Sequence, residues 1–328
     1  MLNHGEAKTA GPGSEIVSEF GVPEALAGLP WEAGEAFLGP GATTCSFEEA
    51  DAIVLPVPYE ATTSWGRGTR WGPRSILKAS RHIELYDREF GCEPAAELGI
   101  HTLPSLELAL GDPADAIEDL RVAYSQIAQE CGHRLLVMLG GEHSVTSAAV
   151  MVQADRYEER ITVLQLDAHA DLRAEYNGMA YSHACVMSHV LSRADVVAVG
   201  VRGVSKDEVV TSEVTTGSTL IWARDMQDGE EWMDVAIEQL GPKVYLSLDV
   251  DYFDPTLVPS TGTPEPGGAQ WHETLRFLRR VLREREVVAV DVVELAPIPG
   301  LHAPDFLVAK LVYKLISYAF QNRLVGGS

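Results

Sequence analysis

Three polar clusters of the sequence follow directly on short apolar segments. His143 comes after LLVML within Gly-Gly-Glu-His, Asp167 opens the pattern Asp-Ala-His-Ala-Asp after ITVLQL, and Asp249 opens Asp-Val-Asp after VYLSL. A further carboxylate, Glu294, ends the segment VVAVDVVE. A lone carboxylate after a strand commonly caps the next helix, and we expect Asp254 to do so, but capping requires neither D-x-H-x-D nor D-x-D. The clusters therefore indicate a binding site.

The acidic and imidazole side chains of the second and third clusters lie at alternate positions, which point to the same side of an extended chain. They are Asp167, His169, Asp171, Asp249 and Asp251. The carboxylates among them would repel one another at neutral pH unless they bound protons or were neutralised by cations. A bound pair of metal ions is the simpler solution, and the sequence predicts one.

The donor atoms of these clusters limit which metal fits. They offer carboxylate oxygen and imidazole nitrogen but no thiolate, a mixture that suits Mn²⁺, with Ni²⁺, Co²⁺, Fe²⁺ or Zn²⁺ as alternatives and Mg²⁺ as a weaker one. Two divalent ions among four carboxylates leave a near-neutral cluster, which can acidify a water and supply hydroxide near neutral pH. The predicted chemistry is metal-assisted hydrolysis.

The segments that precede the clusters have the composition of strands in a parallel sheet. Each is nearly continuous in Val, Ile and Leu, as is typical of strands buried on both faces. The predicted strands are residues 52–57, 135–139, 161–166, 196–199, 244–248 and 287–293. Segments between them carry apolar residues at helical spacing. The predicted helices are residues 115–130, 230–240, 271–285 and 304–320. This alternation predicts an α/β fold with helices on both faces of the sheet, whose ligands bind beyond the carboxyl ends of the strands.

Length and composition limit the class of protein. The chain has 328 residues, with 25 Lys+Arg against 48 Asp+Glu and a formal net charge of −23. Nucleic-acid binders and polybasic membrane-surface proteins present clustered cationic surface, so we expect neither nucleic acid nor membrane as a partner. No apolar run reaches the ~18 residues that span a bilayer. The first residues do not resemble a signal peptide, and the cysteines lack metal-cage or disulfide spacing, so we expect a cytoplasmic protein.

Residues 1–50 differ in composition from the rest of the chain. They are rich in Gly, Pro, Ala and Glu and contain one apolar patch near Trp31 and Phe37. We expect an N-terminal extension that packs on the main domain or on a neighbouring subunit, with residues 51–328 forming the catalytic domain.

Taken in order, the motifs resemble those of the ureohydrolase family, which includes arginase and agmatinase. They are GGEHS, DAHAD, the Ser182-His183 segment, SLDVDYFDP, TGTPEPGG and VVELAP, and the resemblance covers residues 51–320. The stretch VLPVPYEATTSWGRGTRWGP, the segment YSHACVM and the TPEPGG loop look most like bacterial and archaeal agmatinases. The chain departs from common family patterns at Glu142, where many members have Asp, at Ser182-His183-Ala184, which replaces Asp-His-Gly, and at Ser260, which replaces Gly.

The resemblance implies a three-layer α/β/α fold around a mainly parallel sheet, assembled as a homo-trimer or homo-hexamer. It also implies two Mn²⁺ ions per chain, with Ni²⁺ or Co²⁺ as alternatives. The implied ligands of one ion are His143, Asp167, Asp171 and Asp249. The implied ligands of the other are Asp167, His169, Asp249 and Asp251, so that Asp167 and Asp249 bridge the pair.

Three side chains are expected to act in catalysis. His183 resembles the histidine that lines the family's site and assists proton transfer, and Glu294 resembles the carboxylate that holds the guanidinium. Asp171, or a nearby water, is expected to pass a proton to the leaving amine.

The implied reaction is agmatinase activity, the hydrolysis of agmatine to putrescine and urea in polyamine biosynthesis. The alternatives within the same chemistry are N1-aminopropylagmatine, guanidinobutyrate, guanidinopropionate, arginine and guanidine; an acidic pocket should disfavour those that carry a carboxylate. A different hydrolysis, of formiminoglutamate or of an amide as in the related deacetylases, is a further alternative. An inactive metal-binding scaffold is the lowest-ranked one.

Overall fold

The computed structural model describes residues 12–39, 45–227 and 229–326. The strands are, in chain order, β1 (Trp31–Glu32), β2 (Ala52–Val57), β3 (Ile100–Thr102), β4 (Ser105–Leu106), β5 (Leu135–Gly140), β6 (Thr162–Leu166), β7 (Asp195–Val201), β8 (Ser218–Trp222), β9 (Lys243–Asp249) and β10 (Glu286–Val293). The helices are α1 (Pro12–Glu19), α2 (Gly72–Ser80), α3 (Pro94–Glu97), α4 (Pro113–Cys131), α5 (Val145–Asp155), α6 (Val186–Val190), α7 (Lys206–Val214), α8 (Glu231–Gln239), α9 (Trp271–Glu284), α10 (Ala303–Ala319) and α11 (Gln321–Gly326).

The main sheet has the strand order β3-β2-β5-β10-β9-β6-β7-β8, and its neighbouring strands all pair in parallel. Strands β1 and β4 form a small antiparallel pair beside it. The predicted α/β fold with a parallel sheet is therefore confirmed. All six predicted strands are present, whereas β3 and β8, the edge strands of the sheet, were not predicted.

Helices cover both faces of the sheet and give the predicted three layers. Helices α2, α8, α9 and α10 pack on one face, and α4, α5 and α6 pack on the other. In the inner strands of the sheet, side chains of alternate residues pack into the hydrophobic cores on opposite faces, as the two-residue period of a strand requires. In β2, Ala52 and Val54 join the first core, while Ile53 and Leu55 join the second.

Helix α4 illustrates how the local sequence sets the bounds of an element. Asp112 precedes the helix and its Oδ1 accepts the Ala114 amide at 2.9 Å, which satisfies one of the free N–H groups of the first turn. Pro113 fits the first helical position because its missing N–H would be unpaired there anyway. The helix ends at Cys131, and the next residue, Gly132, has a φ of 61° that a residue with a side chain rarely adopts.

The loop after β5 meets the loop after β2 at Gly141. A Cβ at this position would overlap the carbonyl oxygen of Tyr59, so the close approach requires glycine. The next amide, of Glu142, donates to that same carbonyl at 2.9 Å. This contact holds the loop that follows β2 beside the carboxyl ends of the central strands.

Parts of the predicted N-terminal extension contact the main domain. Phe37 and Leu38 are buried in the core of α2 and α10, and their amides donate to Thr102 Oγ1 at 3.0 Å and Ser80 Oγ at 2.8 Å. Residues 1–11 and 40–44 lie outside the described residues, and the boundary at residue 50 stays a prediction. Within the part of the chain that is described, no helix combines the length and apolar character needed to cross a membrane.

Candidate metal centre

The predicted ligands meet at the carboxyl ends of β5, β6 and β9, with β10 between β5 and β9. The His143 Nδ1 atom lies 2.9 Å from Asp171 Oδ2, 3.1 Å from Asp167 Oδ2 and 3.6 Å from Asp249 Oδ2. The His169 Nδ1 atom lies 3.0 Å from Asp251 Oδ2 and 3.6 Å from Asp167 Oδ1. The structure thus brings all six predicted ligands into one cluster.

The donor atoms fall into two groups that share Asp167. One group contains His143, Asp167 and Asp249, and the other contains Asp167, His169 and Asp251, with one ligand atom of each residue within 4.8 Å of the others. The two oxygens of Asp167 face different histidines, which is the arrangement expected of a carboxylate shared by two ions. The ligand roles of all six residues, and that of Asp249 as a second bridge, stay predictions.

The tautomer of His143 follows from the groups behind its ring. Ser247 donates its only hydroxyl hydrogen to Asp291 Oδ1 at 2.7 Å. The Ser247 oxygen also lies 2.9 Å from His143 Nε2, and it can only accept a hydrogen bond from that nitrogen. His143 therefore carries a proton on Nε2, and its buried Nδ1 atom is the nitrogen that faces the carboxylates. Facing these oxygens, Nδ1 must either bind a second proton or share a metal ion with them, so the donor set fits a bound metal ion.

The pKa shifts of the two histidines also indicate that the cluster lacks positive charge. Burial lowers the pKa of His143, but hydrogen bonds to Asp167 and Asp171 raise it further, so the net pKa is well above its ordinary value. Burial also lowers the pKa of His169, yet Asp251 and Asp167 bring it to about 12. The raised pKa values favour a second proton on each imidazole when no metal is bound. Metal ions must displace these protons.

Two acidic residues of the site adopt left-handed backbone conformations, with φ of 51° at Asp171 and 64° at Glu294. Such conformations are strained for residues with a side chain and cluster at functional sites.

Glu294 Oε1 accepts the His143 amide at 2.6 Å. Burial, with the negative charge of Glu142, raises the pKa of Glu294 well above its ordinary value, so a cation beside this carboxyl would stabilise its charged form.

A cavity of about 320 Å³ opens onto the cluster. It is lined by predicted residues, among them His183 and Glu294, and by residues that the sequence analysis did not single out: Ser64, Arg173, Tyr176, Ser205, Glu208, Thr263 and Glu265. Glu265 lies in the TPEPGG motif that supported the resemblance, which is the one sequence signal that could have identified it. Arg173 and Tyr176 sit in an irregular segment with no periodic pattern.

The expectation that Asp254 caps a helix is wrong. Its Oδ1 accepts the amide and hydroxyl of Thr256, and its Oδ2 accepts the amides of Gly267 and Gly268. Asp254 therefore ties together the two ends of the loop between β9 and α9. That loop contains Thr263 and Glu265, so Asp254 supports the rim of the cavity without contacting the metal cluster.

Comparisons with known proteins agree with this geometry. A model of the arginase family matches residues 50–317. The chain is 37% identical over 283 residues to an N(1)-aminopropylagmatine ureohydrolase of Synechocystis sp., covering 83% of this chain and 90% of that protein. It is 32% identical over 279 residues to an agmatinase of Pyrococcus horikoshii, covering 83% and 93%. The crystal structure of an agmatine ureohydrolase of Thermoplasma volcanium matches with a TM-score of 0.76 at 27% identity, covering 86% and 95%.

Replacing Ser247 by Ala should weaken metal binding without unfolding the protein. The variant loses the acceptor that fixes the His143 ring, and loss of such a partner typically lowers metal affinity about 10–100-fold. The dissociation constant for Mn²⁺, measured by competition with a chelator, checks this. Ser317→Ala is the matched control, because it removes a buried hydroxyl that donates to the Tyr313 carbonyl in α10. An unchanged constant in Ser247→Ala would contradict the assigned tautomer.

Metal binding should release protons and strengthen as the pH rises. The raised pKa values of His143 and His169 mean that the metal-free protein holds protons that binding expels. Calorimetric titration of metal-free protein with Mn²⁺, in two buffers of different ionisation enthalpy, counts the released protons. Affinity that does not change between about pH 6 and 8 would show that these imidazoles are not ligands.

Proposed function

Because the chain belongs to the arginase family and is a ureohydrolase that acts on guanidino groups, we propose that its substrate is an aminoalkylguanidine. N1-aminopropylagmatine is the first candidate and agmatine the second. The 37% identical relative is named for the first compound, and the Pyrococcus horikoshii relative is named for hydrolysis of the second. This ranking revises the order expected from the sequence alone, which placed agmatine first.

The observation that carries the proposal is the position of Glu294 in the cavity. One oxygen of this carboxylate is engaged by the His143 amide, and the side chain lines the same cavity as His143, Asp249 and Asp251. A planar guanidinium can donate two N–H groups to a carboxylate. The positive charge of the guanidinium also compensates the negative charge of the Glu294 carboxylate. Burial raises the pKa of this carboxyl well above its ordinary value.

The preference for an amine tail is inferred from Glu265. This carboxylate lines the cavity beside His169 and packs against Gly203, and Arg202 engages only its backbone carbonyl. Arg173, the cation of the cavity wall, lies 3.4 Å from Glu208. Among the described residues, no Lys or Arg pairs with the Glu265 carboxylate, so a substrate ammonium can do so.

The overall reaction adds water across the bond between the guanidinium carbon and the alkyl nitrogen. The water oxygen becomes the oxygen of urea, and both of its protons end on the leaving nitrogen, which departs as an ammonium. Divalent cations held by the two Asp/His groups would supply the acidity that makes water nucleophilic near neutral pH. Glu294 orients the guanidinium, while Asp171 and His183 carry protons towards the leaving nitrogen.

Other properties are proposed with the function and rest on the resemblance. We expect two Mn²⁺ ions per chain, with Ni²⁺ or Co²⁺ as alternatives, and a homo-trimer or homo-hexamer in the cytoplasm. The amine product, putrescine from agmatine or the corresponding triamine from N1-aminopropylagmatine, would enter polyamine biosynthesis.

Urea release from a panel of guanidines tests the proposed substrate. The protein should be assayed with Mn²⁺, Ni²⁺ or Co²⁺ on N1-aminopropylagmatine, agmatine, guanidinobutyrate, guanidinopropionate, arginine and guanidine. We expect the highest kcat/KM for one of the two amines. Glu265→Gln should raise KM for these amines and leave guanidine, which has no tail, unaffected. A preference for arginine or a guanidino acid would overturn the proposal, and metal-loaded protein without urea from any compound would favour the inactive scaffold.

Glu294→Gln should lower kcat/KM for the preferred amine at least about 10-fold, because a hydrogen bond to a charged group contributes about 1.5–3 kcal/mol. The metal content of the variant, measured by elemental analysis, should equal that of the unaltered protein. Glu238→Gln, at an exposed position of α8, controls for the loss of one negative charge. Full activity of the Glu294→Gln variant would refute the guanidinium role.

A further inference from the structure

Glu142, one of the positions where the chain departs from common family patterns, is a fully buried carboxylate. It accepts the amides of Ala61 at 2.7 Å and Thr62 at 2.6 Å, the Thr62 hydroxyl at 2.8 Å and the Ser144 hydroxyl at 2.6 Å. A buried carboxylate requires such donors. Glu142 thereby fastens the loop after β2 to the loop after β5.

The Thr62 hydroxyl group connects this carboxylate to His183. Its single proton goes to Glu142, so its oxygen can only accept from any other partner. The partners in reach are the His183 backbone amide at 3.0 Å and the His183 ring nitrogen Nδ1 at 3.2 Å. With both as donors, the two acceptor positions of the hydroxyl oxygen are filled.

We infer that Glu142 and Thr62 fix His183 in the tautomer with the proton on Nδ1. The opposite tautomer would direct the Nδ1 lone pair at the Thr62 oxygen, which has no proton to offer. Ser182 Oγ, 3.3 Å from Nδ1, can accept the same proton and is compatible with this arrangement. The Nε2 atom is then the nitrogen that accepts a proton in the neutral ring.

The Nε2 atom faces the cavity. It lies 3.4 Å from Ser64 Oγ, and Ser64 and His183 both line the cavity above the metal cluster. Resting on the proposed function, the inference makes Thr62 a positioning residue. It keeps Nε2 ready to take a proton released by water and return it to the leaving nitrogen, so His183 is unchanged at the end of the cycle.

A double-mutant cycle separates this role from a merely structural one. Thr62→Val removes the hydroxyl at nearly constant volume, and His183→Asn removes the ring. We expect His183→Asn to lower kcat about 100-fold or more, as loss of a proton-transfer group does, and Thr62→Val to lower kcat about 10-fold with KM within about 2-fold. Adding Thr62→Val to the His183→Asn variant should lower kcat by less than about 2-fold, because the effects of residues that act as a unit are not additive.

Two further variants control the cycle. Thr62→Ser keeps the hydroxyl and should recover most of kcat. Ser144→Ala removes a different donor to Glu142 and should leave kcat close to that of the unaltered protein. Unchanged kcat in Thr62→Val, losses that multiply in the double variant, or an equal loss in Ser144→Ala would each overturn the inference.

A spectroscopic measurement tests the tautomer independently of activity. ¹⁵N spectra of histidine-labelled protein loaded with diamagnetic Zn²⁺ distinguish the two neutral tautomers, and the His183 signals are those absent from His183→Asn. We expect Nδ1–H in the unaltered protein and a larger share of Nε2–H in Thr62→Val. Nε2–H in the unaltered protein would overturn the inference even if urea is released, whereas Nδ1–H without urea would overturn only the proposed function.

Discussion

The mutual repulsion of buried carboxylates is the constraint on which the rest of the structure depends. Asp167, Asp171, Asp249 and Asp251 are nearly inaccessible to solvent and lie around His143 and His169. Burying such charges without compensation is unfavourable, so the site needs cations, and the imidazoles take up that role when they are protonated. The parallel sheet supplies the rigid edge that holds these groups together against their repulsion.

The same hydrogen-bonding arrangement orients two of the three imidazoles of the site, His143 and His183. Behind His143, the buried carboxylate of Asp291 accepts a hydrogen bond from the Ser247 hydroxyl, and behind His183, the buried carboxylate of Glu142 accepts one from the Thr62 hydroxyl. In each case a hydroxyl that already donates its hydrogen to a carboxylate can only accept from the imidazole, and this dictates which ring nitrogen bears hydrogen. The outcome differs: His143 presents Nδ1 to the metal cluster, whereas His183 presents Nε2 to the cavity. Two carboxylates that do not line the cavity thus orient imidazoles that do.

The sequence was most informative where chemistry and periodicity coincide. Alternating acidic and imidazole residues after apolar runs predicted the clustering at Asp167 and Asp249, since strand ends of a parallel sheet share one edge. The edge strand β8 was missed because most of its residues are only partly buried, and α5 was missed because it is apolar on nearly all sides and so lacks an amphipathic pattern. The link from Glu142 to Thr62 spans 80 residues and depends on how two loops meet, which spacing along the chain does not encode.

The strand order has a consequence for how the protein folds. Strand β10 is the last strand of the chain, yet it is inserted between β5 and β9 at the centre of the sheet. Glu294 and the His143 amide that it contacts are 151 residues apart. Pairing over such a distance is slow, because a large loop must close before any contact stabilises it. The cavity, which Glu294 lines together with His143, is therefore complete only once β10 has paired between β5 and β9.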